Sequence, residues 1–200
     1  MRVLQLAVGG FDHNFSYVIG SGDAALVDPA GSWQLIREAL DAGGISSIRY
    51  ILLTHGHTDH FDALKEAKRD FPDAEVCGHP DNRAASRKLA DGEELSFAHG
   101  TVKVFFTPGH SRDSVCYLCD NSALLTGDTL FVDYVGIARD PDLLYDSLRR
   151  IAALPGELVI YPGHDYGVVP FRTLAEEKRL NRYLRCRTLE EFKLQLKESV

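Results

Sequence analysis

Four cysteines in 200 residues are too few for a disulfide-stapled scaffold at this length. Cys116 and Cys119 have the C-x-x-C spacing, but they lie in Ser114-Val115-Cys116-Tyr117-Leu118-Cys119. That stretch reads as a strand, so the two thiols are expected on opposite faces instead of sharing a redox turn or a zinc knuckle. Cys77 and Cys186 read as small buried or half-buried residues. Basic charge is also short. Lys and Arg number 22 against 29 Asp and Glu, for a formal charge of -7 and a pI near 5.6. This argues against a nucleic-acid partner held by a basic surface. No apolar run approaches the roughly 20 residues that span a bilayer, so no membrane partner is expected. Met1-Arg2-Val3-Leu4-Gln5-Leu6 is broken too soon, by Gly9 and Asp12, to read as a signal peptide. The expected location is the cytoplasm. Neither an internal repeat nor a low-complexity linker is visible, and residues 1–200 are expected to form one domain.

The chain does have histidine, and it is concentrated. Thr54-His55-Gly56-His57-Thr58-Asp59-His60 places three imidazoles and a carboxylate within six residues of a chain with 8 His. Before it runs Arg49 to Leu53, apolar and strand-like; after it, Phe61 to Phe71 carries apolar residues at helical spacing. The histidines therefore sit on a tight strand-to-helix connection, a rigid place to present ligands. Imidazole and carboxylate are the usual ligands of zinc and similar metals. Alternation points His55 and His57 the same way, while Asp59 and His60 turn with the chain toward a second, adjacent ion.

Strands are expected at Val3 to Ala7, Asn14 to Ile19, Ala24 to Val27, Glu75 to Gly78, Thr101 to Phe106, Val115 to Cys119, Ala123 to Leu125 and Leu158 to Tyr161. Helices are expected at Trp33 to Ala42, Asp81 to Leu89, Asp142 to Leu154 and along the charged tail from Phe171. Strands come first in runs and then alternate with helices, so the fold class is mixed α and β, α+β or α/β. Four polar stretches each follow an apolar strand: Thr54 to His60, Thr107 to His110, Thr126 to Asp128 and Pro162 to His164. Ligands given from several strand ends can converge on one sheet edge, which makes His110, Asp128 and His164 candidate ligands. His13, His79 and His99 read as turn or surface residues, with His13 near the substrate mouth if the loop from Gly9 to Asn14 folds over the metals.

With these pieces the sequence resembles the metallo-β-lactamase-fold hydrolases. The matching motifs are Thr-His-Gly-His-Thr-Asp-His at 54–60, Pro-Gly-His at 108–110, Gly-Asp-Thr-Leu-Phe at 127–131 and Tyr-Pro-Gly-His-Asp-Tyr at 161–166, with Val27-Asp28-Pro29 as a further strand end. The resemblance implies a four-layer αββα sandwich. It implies that His55, His57 and His110 hold a first metal, that Asp59, His60 and His164 hold a second, and that Asp128 bridges them. Asp59 and Asp128 are the residues it implies for catalysis, and Asp28 a support behind the ligands. Within the superfamily the sequence is similar to the glyoxalase II (hydroxyacylglutathione hydrolase) and persulfide dioxygenase branch, in a short form. Only Asp165 to Val200 follows His164, where glyoxalase II enzymes usually carry a longer helical domain that holds glutathione. The Cys-Gly-Lys or Cys-Gly-Arg element of the branch is replaced by Val132 to Asp140, with Arg139 either a substitute cation or a solvated loop residue.

The resemblance thus implies two divalent ions, zinc foremost, with iron or manganese as alternatives. A hydroxide shared between them would attack the carbonyl of a small thioester or ester, which is in some cases glutathione-derived. Three other readings stay open: a persulfide dioxygenase with a single iron on His57 (or His55), His110 and Asp128; a lactonase on the same metals; and a non-enzymatic metal-binding protein.

Overall fold

The computed structural model describes residues 1–97 and 100–198. The expectation for His99 falls outside these residues. Two six-stranded sheets pack face to face. The first contains β1 (Val3–Gly9), β2 (Asn14–Ser21), β3 (Asp23–Val27), β4 (Ser47–Leu52), β5 (Glu75–Gly78) and β6 (Arg87–Lys88), in that order. The second runs β12 (Arg172–Thr173), β11 (Val159–Pro162), β10 (Ala123–Gly127), β9 (Val115–Cys119), β8 (Gly100–Phe106) and β7 (Glu94–Phe97). β3, β4, β5 and β6 are parallel neighbours, as are β10 and β11; the remaining pairs are antiparallel.

Side-chain alternation explains the layers. In β9, Val115, Tyr117 and Cys119 point into the core between the sheets, and Cys116 and Leu118 point outward under helices. The two cysteines therefore lie on opposite faces, as strand geometry requires. In β4, Tyr50 and Leu52 enter the same inner core, while Ile48 and Ile51 face α1 (Trp33–Ala42) and α2 (Leu64–Asp70). A strand buried on both faces needs an apolar residue at nearly every position, which is why these segments lack a polar face. The outer face of the second sheet is covered by α3 (Pro141–Ala152), with α4 (Leu174–Leu180) and α5 (Leu189–Lys197) completing that layer. The result is a helix–sheet–sheet–helix sandwich. Ser32 caps α1, and Asp140 caps α3 just before Pro141, a residue suited to the first helical turn. Among the described residues no helix is long and apolar enough to cross a membrane.

The helix expected at Asp81 to Leu89 does not form. Side chains close local turns on its first N–H groups, and the sheet takes the later ones that a helix would need. His79 Nδ1 accepts the Asp81 N–H at 3.1 Å, and Asn82 Oδ1 accepts the Ala84 N–H at 3.0 Å. The chain then joins the sheet, with Ser86 N–H donating to Val76 O and Leu89 N–H to Gly78 O, each at 2.9 Å. The helix expected from Phe61 instead begins as a 3-10 turn at Thr58–His60 and becomes α-helical only at Leu64. The tail is helical, as its composition suggests, but it is not simply a solvated face: Glu177 and Phe192 are fully buried.

Candidate metal centre

The ends of β4, β8, β10 and β11 meet along one edge of the sandwich. Backbone hydrogen bonds tie them there. Val115 N–H donates to Thr54 O at 2.7 Å, Gly163 N–H to Gly127 O at 2.9 Å, and Phe15 N–H to Gly163 O at 2.8 Å. The two sheets thus bring the Thr54, His110, Asp128 and His164 segments to one place without depending on flexible loops.

All seven residues named from the sequence converge. His55, His57, His110 and Asp128 form one group, and Asp59, His60 and His164 the other; in each, one ligand atom per residue lies within 4.8 Å of the others. In the first, His57 Nδ1 is 2.8 Å from His55 Nε2 and 3.0 Å from His110 Nε2. In the second, His60 Nε2 is 3.2 Å from His164 Nε2, and Asp59 Oδ2 is 3.5 and 3.6 Å from them. Asp128 stands between: its oxygens are 3.3 Å from His60, 3.4 Å from His164 and 3.5 Å from His110.

The nitrogens facing away from the centre are engaged by acceptors. His60 Nδ1 donates to Asp28 Oδ2 at 2.9 Å, His110 Nδ1 to Ile137 O at 3.2 Å, and His164 Nδ1 to Asp12 O at 2.7 Å. Thr54 Oγ1 donates its own proton to Asp28 Oδ2 at 2.6 Å, so it accepts from His55 Nδ1 at 3.1 Å. Four imidazoles are therefore held in the tautomer whose remaining lone pair points inward, the arrangement that metal ligation needs. Asp128 Oδ1 is buried without a hydrogen-bond partner. Inward lone pairs beside an orphaned carboxylate oxygen suit a divalent cation.

Electrostatics differ between the two groups. Burial holds His55 well below the ordinary histidine value, and lowers His57 and His110; the Arg139 charge adds to the effect at His57. At His60 and His164 burial also acts downward, but the adjoining Asp128 outweighs it and the net shift is up, with Asp28 helping at His60. Burial pushes Asp128 up, and the histidines around it reverse this, leaving it well below the usual carboxylate range. The Asp59–His60–His164 side thus calls for positive charge, which a bound cation supplies.

Asp28 sits behind the ligands, as expected, taking the Thr54 N–H on Oδ1 at 2.8 Å as well as the bonds on Oδ2. Its φ of 47° is left-handed, a conformation Asp and Asn tolerate better than most residues. The loop from Gly9 to Asn14 does fold against the centre. However, Phe11 and Asp12 line the 560 Å³ cavity over the candidate ligands; His13 does not, and instead offers its carbonyl to Asp165 N–H. Arg139 also lines this cavity. Tyr166 stacks on His164 at 4.9 Å between centroids and donates its hydroxyl to the Asp12 carboxylate. Asn14 escapes a sequence reading: it is buried and its Nδ2 donates to Asp59 Oδ2 at 3.1 Å. The only sequence signal for it is a polar residue at the start of an apolar strand.

Residues 9–164 match the model of the metallo-beta-lactamase superfamily. A hydroxyacylglutathione hydrolase of Francisella philomiragia is 35% identical over 173 residues, covering 83% of this chain and 68% of that protein. The chain spans about two thirds of the length of the curated relatives it matches. The crystal structure of ETHE1 from Myxococcus xanthus is similar with a TM-score of 0.87 and 29% identity, covering 100% of this chain and 91% of that one. A protein solved in a di-iron-bound form gives a TM-score of 0.75 and 28% identity, with 90% and 98% covered. The chain belongs to the metallo-beta-lactamase superfamily, on the branch that includes the hydroxyacylglutathione hydrolases.

Proposed function

We propose that this chain is a metal-dependent hydrolase of small thioesters, with two divalent ions at its seven His and Asp ligands. The observation that carries this reading is Asp128, buried between two ligand groups and in contact with histidines of both. His55, His57 and His110 would hold one ion, Asp59, His60 and His164 the other, and Asp128 would touch both. Ions bound there would supply Lewis acidity and bring the pKa of a bound water near neutrality. Asp59, held through Oδ2 by Asn14, would keep its second carboxylate oxygen for the proton of the attacking water. Arg139 adds positive charge at the mouth, where the carbonyl gains negative charge during attack. Phe11 and Tyr166 line the opening. The thioester class rests on likeness to relatives named hydroxyacylglutathione hydrolase.

A second reading has its own support. His55, His57, His110 and Asp128 alone make a four-residue group, enough to hold a single iron as a persulfide dioxygenase would need. Elemental analysis of protein purified without added metal separates the two. About two ions per chain, with turnover of hydroxyacylglutathione thioesters, supports the hydrolase. One iron per chain with oxygen uptake on glutathione persulfide overturns it in favour of the dioxygenase.

A further inference from the structure

A second cavity, of 640 Å³, adjoins the metal centre and shares Gly56 and His57 with it. Its other walls come from the turn after β5, with Asn82 and Arg83, and the turn after His110, with Arg112 and Asp113. Ile137 and Arg139, which line the cavity over the centre, do not line it.

Asn82 is 1% exposed, and its Nδ2 has no hydrogen-bond partner. The amide cannot turn over, because its Oδ1 accepts the Ala84 backbone N–H. The donor is therefore directed at the Gly56 wall, 3.9 Å from where a Cβ on Gly56 would stand. That Cβ would meet Asp113 Oδ2 at 2.7 Å, so glycine keeps the partition between the cleft and the histidine loop thin. A buried donor without an acceptor is rare in native folds and marks a place where something else accepts. Arg83 and Arg112 are exposed at the same cleft and have no hydrogen bond or ion pair among the described residues. Two acids share the cleft: Asp113 accepts the Ser111 hydroxyl on Oδ1 at 2.8 Å, and Asp81 lies 4.0 Å from His79 Nδ1. One amide and two guanidinium groups, all donors, thus line one cleft with no acceptor assigned to them. Guanidinium forks fit a carboxylate best.

We propose that this cleft is a substrate subsite for a carboxylate carried on one arm of the thioester, with Asn82, Arg83 and Arg112 as specificity-determining residues; this rests on the hydrolase reading of the metal centre. The substrate would straddle His57, its carbonyl at the metals and its carboxylate in the cleft.

Two matched pairs test it. Succinyl and butyryl thioesters of N-acetylcysteamine differ by a carboxylate on the acyl arm. Acetyl thioesters of 3-mercaptopropionate and propanethiol differ by one on the leaving arm. The expected result is a higher kcat/KM for the acid member of one pair, and the pair that discriminates identifies the arm. Arg112→Ala or Arg83→Ala should cut that preference by about tenfold, the size of one charge-assisted contact. Asn82→Asp keeps the acceptor for Ala84 and should reverse the preference. Arg37→Ala, on the far surface of α1, should leave it alone. Equal use of both members in both pairs, with turnover abolished by His57→Ala, overturns the subsite and keeps the hydrolase. If no thioester is turned over, the hydrolase reading fails and calorimetry decides the subsite: succinamate should bind the metal-loaded protein more tightly than butyramide. Loss of that difference in Arg112→Ala supports the cleft, and its persistence in all three variants overturns it.

Discussion

Asp28 and His60, 32 residues apart in the chain, meet with Oδ2 2.9 Å from Nδ1 at the closed end of the metal centre. The same oxygen takes the Thr54 hydroxyl, which in turn supports His55. One carboxylate therefore fixes the tautomers of a histidine in each ligand group. Asp28→Asn is a sharp test, since Asn fits the left-handed backbone at this position. Its Oδ1 would still accept from Thr54 N–H, so its NH₂ would face two donors. Relief of that clash requires His60 to move its proton to Nε2, the atom that points at the centre. We expect metal affinity to fall by about 10–100-fold, with the far-UV spectrum unchanged. Unaltered affinity in a chelator competition assay would show that Asp28 does not set the tautomer.

Acid should release metal in two stages. The group whose imidazoles sit above their ordinary value, His60 and His164, holds its protons to higher pH. Protons there compete with a cation already above the usual histidine value near 6.5. His55, His57 and His110 are shifted down, so their lone pairs stay free to lower pH. Dialysis across a pH series, followed by elemental analysis, should show the Asp59–His60–His164 ion leaving first. His164→Ala should remove that first stage alone. Simultaneous release of both ions would refute the ordering.

Gly163 supplies a third test. A Cβ at this position would overlap Asp128 Oδ1 and stand 2.8 Å from His60 Cε1. The neighbouring backbone cannot yield easily, because Gly163 bonds through both N–H and carbonyl to Gly127 and Phe15. Gly163→Ala should therefore push Asp128 from between the two groups. The expected outcome is loss of at least one ion per chain and about 1–3 kcal/mol of stability, the usual cost of overpacking. Full metal content in this variant would mean that Asp128 has room to serve both groups from elsewhere.

The candidate ligands were legible because each is chemically distinctive and lies just past an apolar strand: Asp128 after Leu124 and Leu125, His164 after Ile160 and Tyr161. What lies behind them was less so. Asp12 and Asn14 reach the centre only because the β1–β2 turn folds onto the end of β11, a contact between residues 150 apart in the chain that no local pattern encodes. Residues 81–89 misled because the Ser86 and Leu89 N–H groups, which a helix there would use, go instead to Val76 O and Gly78 O of β5, a pairing no local pattern encodes. β6 and β12, two residues each, are too short to show any periodicity. The cleft beside His57 depends on that same misread turn, so its role emerges only from the three-dimensional arrangement.

The loop that carries Arg139 and the Ile137 carbonyl is anchored from the tail, and this anchor can be broken separately from the metals. Arg172 pairs with Asp133 and with Glu177, at 3.0 Å to the latter, and Glu177 is fully buried. Glu177 Oε2 also accepts the Asp133 N–H at 3.1 Å and the Asn181 amide at 2.9 Å. Arg172→Ala would leave a buried carboxylate without its cation, a change that costs about 3–5 kcal/mol when one partner of a buried pair is removed. Arg172→Ala with Glu177→Gln should recover much of that loss, because the glutamine has no charge to strand and still accepts from Asp133. Denaturant unfolding of the two variants measures the recovery. Turnover should fall in Arg172→Ala through displacement of the loop at His110, while His55, held from the other sheet by Thr54, keeps its position. If Arg172→Ala unfolds at the wild-type midpoint, the buried cluster does not hold this loop.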